Sequence, residues 1–136
     1  MNVLRDESIY IKELNTEIIG QDMKVNRPWS KDIKSVKELK EDIENFDEKY
    51  SILLAHTPKF IEESGKEDID LQLSGHTHNG QFFPVNYIVK FMYKNAFGYK
   101  KFDKMDSYVS CGFGLWGPPM RIASFQEVVV ITIKSK

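Results

Sequence analysis

The chain has 136 residues, of which 41% are hydrophobic and 12% aromatic, so it is long and apolar enough for one domain with a buried core. Its net charge of -1 gives no indication of nucleic-acid binding, and a single cysteine, Cys111, excludes an internal disulfide or a thiolate metal cluster within one chain. No apolar run approaches the roughly 18 residues of a membrane span, and the N-terminus has no signal-peptide pattern. These features predict a cytoplasmic protein or one held peripherally at a membrane.

The first third of the chain is predicted to contain short strands followed by one helix. Residues 2–11 are predicted to form two short strands joined by a hairpin, and Glu17–Gly20 a further short strand. The clearest helix is predicted over Ser30–Phe46, with Ser30 or Ser35 as its N-cap. Apolar residues recur there at spacings of three and four, at Ile33, Val36, Leu39, Ile43 and Phe46. The charged opposite face is expected to be a solvated surface.

Two strands in the middle of the chain are each followed by histidine. The run Ser51–Ala55 precedes His56, and the run Ile69–Leu73 precedes Ser74, Gly75, His76 and, two residues on, His78. A short helical turn over 58–64 connects the runs, which predicts a β-α-β unit with parallel strands. Because parallel strands end at one edge of a sheet, the histidines are expected to lie close together.

The three histidines are candidate metal ligands. Side chains two apart on extended backbone point the same way, so His76 and His78 can converge on one ion or bind two adjacent ions. A single histidine at a strand end is more often a surface or capping residue. The presence of all three at strand ends, with no histidine elsewhere, favours metal binding.

The residues around these histidines leave several roles open. Asn79 and Gly80 permit a tight turn. Gln81 either points at a substrate or closes the loop, and Arg121 either contacts a phosphate or pairs with a local carboxylate. Cys111 follows a strand that ends in a glycine-rich loop and is expected to be a small core residue rather than a nucleophile.

The segment from Val85 to Met105 is aromatic and basic, with five lysines against Asp103, a local charge of +4. It is predicted to form an amphipathic helix over Tyr87–Asn95 whose aromatic side chains pack on the sheet. The alternative is a surface that holds an anionic substrate or meets lipid headgroups. Further on, Glu127–Lys134 has the strongest strand pattern in the chain and is expected to be a member of the sheet.

AHTP at Ala55–Pro58 and GHTH at Gly75–His78, followed by Gln81, resemble the C-terminal half of a calcineurin-like metallophosphoesterase. LLAHTP, DLQLSGHTHNGQ and YVSCGFGLWGPPMRI are similar to a bacterial branch of single-domain phosphodiesterases that are often membrane-associated. The resemblance covers residues 2–134. It implies an α/β fold that forms part of a four-layer α-β-β-α sandwich, with this chain supplying mainly one mixed sheet and its flanking helices.

The resemblance also implies a chemistry, namely hydrolysis of a phosphodiester or phosphomonoester by a metal-bound hydroxide across two divalent ions (manganese, zinc or iron). His56 and His76 would bind one ion and His78 the other, and Gln81 and Arg121 are candidates for substrate contact. The family pattern further needs Asp-x-His, Gly-Asp-x-x-Asp and Gly-Asn-His-Asp/Glu, which supply a bridging carboxylate, an Asn ligand and the general acid. These motifs do not occur in the sequence, so no general acid is assigned.

The expected organisation is therefore one incomplete domain over residues 1–136, equivalent to the C-terminal half of the enzyme. Its expected partners are a phosphoester substrate and the N-terminal half, on the same or a separate chain. Activity would require that half. A non-catalytic scaffold or binding module is the alternative, because the absent carboxylates would permit it.

Overall fold

A six-stranded mixed sheet forms the centre of the structure, a computed structural model that describes residues 3–23, 33–122 and 124–134. The strands are β1 (Glu7–Ile11), β2 (Thr16–Gln21), β3 (Tyr50–Ala55), β4 (Leu71–Ser74), β5 (Gly98–Phe102) and β6 (Met105–Val109), in the order β1-β2-β3-β4-β6-β5. The four central strands are parallel, and β1 and β5 are antiparallel edge strands. The helices are α1 (Val36–Glu41), α2 (Ile61–Lys66) and α3 (Val85–Met92). The predicted α/β class, with one mixed sheet and flanking helices, is confirmed.

The β-α-β unit around the first histidine is confirmed. β3 and β4 are parallel neighbours, in which Leu53 pairs with Gln72. The connection is a 3-10 turn over Pro58–Phe60 followed by α2. Proline suits the first helical position because its missing N–H would have no intrahelical partner there.

The predicted helix over Ser30–Phe46 is wrong in extent. Of residues 33–46, which the structure describes, only Val36–Glu41 form an α-helix, α1. Ser35 is the N-cap, where its Oγ accepts from Glu38 N and the Glu38 side chain accepts from Ser35 N, a capping box. The helix stops at Glu41, and Asn45 takes a left-handed conformation with φ 50°. Acidic residues near a helix C-terminus oppose the helix dipole, so 41–47 is a poor extension. Ser30 lies outside the described residues.

The sheet has two unlike faces. On the helix-covered face, Ile19, Leu53 and Ala55 pack with side chains of α1 and α2 in one buried core. Its members are Ile19, Val36, Leu39, Phe46, Leu53, Ala55, Ile61, Ile69 and Met105. On the opposite face, here called the half-open face, Ile52 and Leu71 are buried, but Ile9 and Leu54 are each 41% exposed.

Gly20 lies on the half-open face, where the N-terminal segment crosses it closely. A Cβ at this position would lie 2.4 Å from Leu4 Cβ, so the crossing requires glycine. Residues 3–6 form no strand, and the predicted strand pair within 2–11 is replaced by the β1–β2 hairpin.

Two expectations for the second half of the chain are wrong. Glu127–Lys134 belongs to none of the six strands, and Val128 and Val130 are largely exposed. A strand pattern needs a partner backbone, and a single backbone hydrogen bond such as that from Glu127 N to Gly112 O, 3.2 Å, does not form a strand ladder. The aromatic helix forms as α3, but none of its residues is buried, so its aromatic side chains do not pack into the sheet. Within the described segments, no helix combines the length and apolarity needed to span a bilayer.

Candidate metal centre

His56 and His76 meet at the carboxyl edge of the parallel strands. His56 directly follows β3, and His76 comes two residues after β4. The two loops are joined by a hydrogen bond from Gly75 N to His56 O, 3.1 Å. His76 Nδ1 lies 3.2 Å from His56 Nε2, with the rings edge to face at a centroid separation of 5.0 Å. The sheet geometry thus brings together two residues that are 20 apart in sequence.

This nitrogen pair fits two ligands of one metal ion. Two imidazole nitrogens about 2.05 Å from an ion at a tetrahedral angle lie about 3.3 Å apart, close to the observed separation. Burial lowers the pKa of His76, and the nearby His56 and His78 lower it further. The neutral imidazole that these effects favour is the form that binds metal. A hydrogen bond between the rings is the alternative, with the donor set by the tautomer.

His78 lies on the 3-10 turn His78–Gly80 and faces a different set of groups. Its Nδ1 is 3.3 Å from Arg121 Nη2, and its ring borders Gly112, where a Cβ would be 3.7 Å from Cε1. Burial lowers the pKa of His78, Arg121 and His56 lower it further, and the Cys111 carbonyl acts in the opposite direction. Within the described residues, no group of three or more His, Cys, Asp or Glu side chains is arranged to hold one ion.

A cleft of about 640 Å³ opens beside the histidine pair. Its walls include His56 and His76, the carboxylates of Asp22, Glu38 and Glu63, and the side chains of Lys34, Lys59, Phe60 and Tyr93. Gln21 pairs with Ala55 in register, so the next residues, Asp22 and His56, leave the sheet side by side. The sequence prediction missed Asp22. In the sequence, Asp22 is only a residue at the end of a strand. Its place beside His56 depends on the parallel pairing of β2 with β3, which the sequence does not reveal.

Gln81 closes the loop that carries Trp116. The residue is fully buried, and its Nε2 donates to Trp116 O at 2.6 Å and to Pro118 O at 3.0 Å. Trp116 N donates to Gln81 Oε1 at 2.6 Å. The amide therefore holds both sides of the 116–118 turn. Of the two predicted roles, loop closure is the one that these contacts describe, and substrate contact stays a prediction.

Arg121 is surrounded by backbone carbonyls. Its Nη2 donates to Cys111 O, Gly112 O and Gly114 O, and its Nη1 donates to Phe125 O, at distances between 2.6 and 3.1 Å. Of the two predicted roles, pairing with a local carboxylate is not seen, because these partners are carbonyl oxygens. Because the same Nη2 also approaches His78, the guanidinium connects the glycine-rich loop to this histidine. Phosphate contact by Arg121 stays a prediction.

Cys111 is buried, as predicted for a core residue. Its Sγ donates to Phe125 O at 2.8 Å, and its N donates to Glu127 Oε1 at 2.9 Å. Burial, with Glu127 nearby, raises the pKa of the thiol. Both effects disfavour the thiolate and so argue against a nucleophile.

The chain is similar to several proteins named metallophosphoesterases. An uncharacterized metallophosphoesterase of Campylobacter jejuni is 44% identical over 89 residues, which are 65% of this chain and 24% of that protein. One from Aquifex aeolicus is 44% identical over 90 residues, covering 65% of this chain and 34% of the relative. A zebrafish transmembrane protein with metallophosphoesterase domain is 42% identical over 86 residues, 61% of this chain and 20% of that protein. No protein-family model matches the chain, and no solved structure matches it significantly.

These similarities show that the chain carries a metallophosphoesterase-like domain, which confirms the resemblance seen in the AHTP and GHTH segments. The chain spans about a quarter of the length of the Campylobacter relative. The narrower bacterial branch is not distinguished, because a vertebrate protein matches at a comparable identity.

Proposed function

We propose that this domain is the histidine-bearing part of a metal-dependent phosphoester hydrolase that acts on phosphodiesters or phosphomonoesters. The observation that carries the proposal is the 3.2 Å approach of His76 Nδ1 to His56 Nε2 at the carboxyl edge of the sheet. The similarity to proteins named metallophosphoesterases supports the reaction class.

In this proposal His56 and His76 hold one divalent ion and His78 holds a second, with zinc, manganese and iron as candidates. Bound ions would supply the positive charge that activates water and offsets the charge of the phosphoryl group. The chain's own residues would prepare the site. Burial lowers the pKa of His76 and so favours the neutral imidazole that binds metal, and the contact with Arg121 would orient the ring of His78.

The remaining ligands are proposed to come from an N-terminal half, on this or a separate chain. Two catalytic ions close together favour bridging carboxylates. Among the described residues, no carboxylate is grouped with the histidines so that together they could hold an ion. The relatives are about three to four times longer than the part they share with this chain, which leaves room for carboxylate motifs.

One observation favours a second candidate, a non-catalytic scaffold or binding module. Among the described residues the histidines have no third ligand grouped with them. A domain that retained the fold but lost catalytic activity would keep the histidines without the further ligands.

The test is hydrolysis of bis(p-nitrophenyl) phosphate by the purified chain with manganese or zinc, run beside His56→Ala and His76→Ala. Lys12→Ala, an exposed position outside the cleft, is the control. Because the remaining ligands are proposed to come from the N-terminal half, the proposal predicts metal-dependent hydrolysis only when a polypeptide that carries that half is added to the chain. Both histidine variants should abolish this activity and the control should retain it.

Hydrolysis that persists in both histidine variants would contradict the site assignment. Metal binding at the histidine pair without turnover, even with that half added, would favour the scaffold.

A further inference from the structure

Five large apolar side chains are exposed on α3 and just before it. They are Phe83, Tyr87, Ile88, Phe91 and Met92, here called the docking face. Phe91 is 95% exposed, and each of the other four side chains is more than half exposed. Tyr87, Ile88, Phe91 and Met92 recur on α3 at spacings of one, three and four, so they share one side of the helix, and Phe83 precedes it. Phe83 and Tyr87 also contact each other edge to face, at 6.0 Å between ring centroids.

The stretch of sequence that contains this face is basic, although Glu62 and Asp106 from outside the stretch pair with Lys94 and Lys101. Between Asp70 and Asp103 there is no acidic residue, although the whole chain has 20. The same stretch contains four lysines: Lys90, Lys94, Lys100 and Lys101. Lys90 lies on α3, and Lys94 follows two residues after the helix ends. Lys90 and Lys94 therefore place positive charge close in sequence to the exposed apolar side chains.

We propose that the docking face binds the surface of an anionic lipid bilayer, with α3 lying in the interfacial plane. Exposed aromatic and aliphatic side chains beside lysines are the pattern of helices that insert their apolar side into the headgroup boundary. The lysines would meet anionic headgroups, and each contributes about a fivefold gain in binding near such a surface. This interaction is independent of the proposed hydrolysis.

The charge pattern separates a bilayer from a second copy of the chain. In a two-fold dimer across α3 the same patch meets itself, so Lys90 and Lys94 would face lysines of the partner. The stretch 71–102 has no acidic residue to pair with them. Lys94 Nζ lies 3.5 Å from Glu62 Oε1, but both side chains are exposed and such pairs contribute little. A bilayer supplies the missing negative charge.

The docking face is also close to the histidine pair. Tyr93, the residue after α3, contacts His76 edge to face at 6.4 Å between ring centroids. Docking through α3 would therefore hold the candidate metal centre near the bilayer surface.

The experiment is co-sedimentation of the chain with vesicles of phosphatidylcholine alone or mixed with phosphatidylglycerol, at low and high salt. The variants are Phe91→Ser and the double variant Lys90→Gln/Lys94→Gln. Their controls are Leu14→Ser, which is similarly exposed outside the face, and Lys12→Gln/Lys37→Gln. Thermal melts and size-exclusion profiles establish that every variant folds and report its oligomeric state.

Binding is expected with phosphatidylglycerol and is expected to weaken at high salt. Phe91→Ser should weaken it about tenfold or more, because it removes an aromatic side chain that the bilayer would bury. The double lysine variant should weaken it on the order of 25-fold. Both controls should bind like the unmodified chain.

Three results would overturn the proposal. One is absence of binding to anionic vesicles, and another is binding that ignores lipid charge. The third is a dimer that Phe91→Ser dissociates while vesicle binding is unchanged, since the face would then be an interface between copies.

Discussion

The two faces of the sheet differ in how far the chain covers them. Leu53 and Leu54 are neighbours in β3, yet Leu53 is fully buried against the helices and Leu54 is 41% exposed on the half-open face. α1 and α2 cover one face with their apolar side chains, whereas the other face is covered only in part, as at Gly20 beneath Leu4. Local sequence periodicity is sufficient to build the first face. The second depends on segments distant in sequence.

The comparison can be tested most strongly with two adjacent substitutions of the same type. Leu53→Ala should lower the free energy of unfolding by about 3 kcal/mol, because it leaves a cavity in the core. Leu54→Ala should lower it by less than about 1 kcal/mol, since much of that side chain is already in water. Urea denaturation of both variants measures the difference. Equal losses would mean that the half-open face is covered as well as the other.

Gln81 tests whether the loop beyond the sheet edge depends on one buried amide. Gln81→Glu keeps the shape but replaces the two donated hydrogen bonds to Trp116 O and Pro118 O with a buried carboxylate. The expected loss is about 2 kcal/mol of unfolding free energy, with altered Trp116 fluorescence. Gln81→Ala reports the loss without the added charge. Unchanged stability in both would contradict the loop-closing role.

Gly20 tests the part of the half-open face that is covered. Gly20→Ala places a Cβ against Leu4 and should cost about 1.5 kcal/mol, because the N-terminal segment must shift. Gly114→Ala is the matched control, since a Cβ there meets nothing within 4 Å. Thermal melts compare the two. A neutral Gly20→Ala would mean that Leu4 does not rest on the sheet.

The smallest expected effect concerns the cap of a helix on the covered face. Ser35→Ala removes the Oγ that accepts from Glu38 N and should cost about 1 kcal/mol. Lys37→Ala, on the exposed side of α1, should change stability by less than about 0.5 kcal/mol. Urea denaturation separates the two variants. A loss at Lys37 as large as at Ser35 would argue against the capping box.

The elements that local pattern predicted are those whose cause is local. The core strand β3, the cap at Ser35 and the turn at Asn79–Gly80 follow from apolar runs, a capping side chain and residues that accept positive φ. Glu127–Lys134 has an equally clear strand pattern but forms no strand, because pairing depends on a partner that the pattern does not specify. α3 has the predicted helical periodicity, but the periodicity alone did not show that its apolar side would face outward.

The residues of the candidate site also divide into those that the local sequence predicts and those that depend on distant parts of the chain. The meeting of His56 and His76 follows from two parallel strands that end at one edge, so the sequence predicted it. Asp22 was missed because its place beside His56 depends on the pairing of β2 with β3. The roles of Gln81 and Arg121 remained open because an amide or a guanidinium serves a loop and a ligand equally well until its partners are known.

The most direct test of the His56–His76 metal site is isothermal titration of the chain with zinc, beside His56→Ala, His76→Ala and the control Lys12→Ala. Loss of a supporting partner alone costs about 10–100-fold in metal affinity, so loss of either ligand should weaken binding by about a hundredfold or more. The control should bind as the unmodified chain does. Zinc binding that is equally tight in both histidine variants would show that the pair is not a metal site.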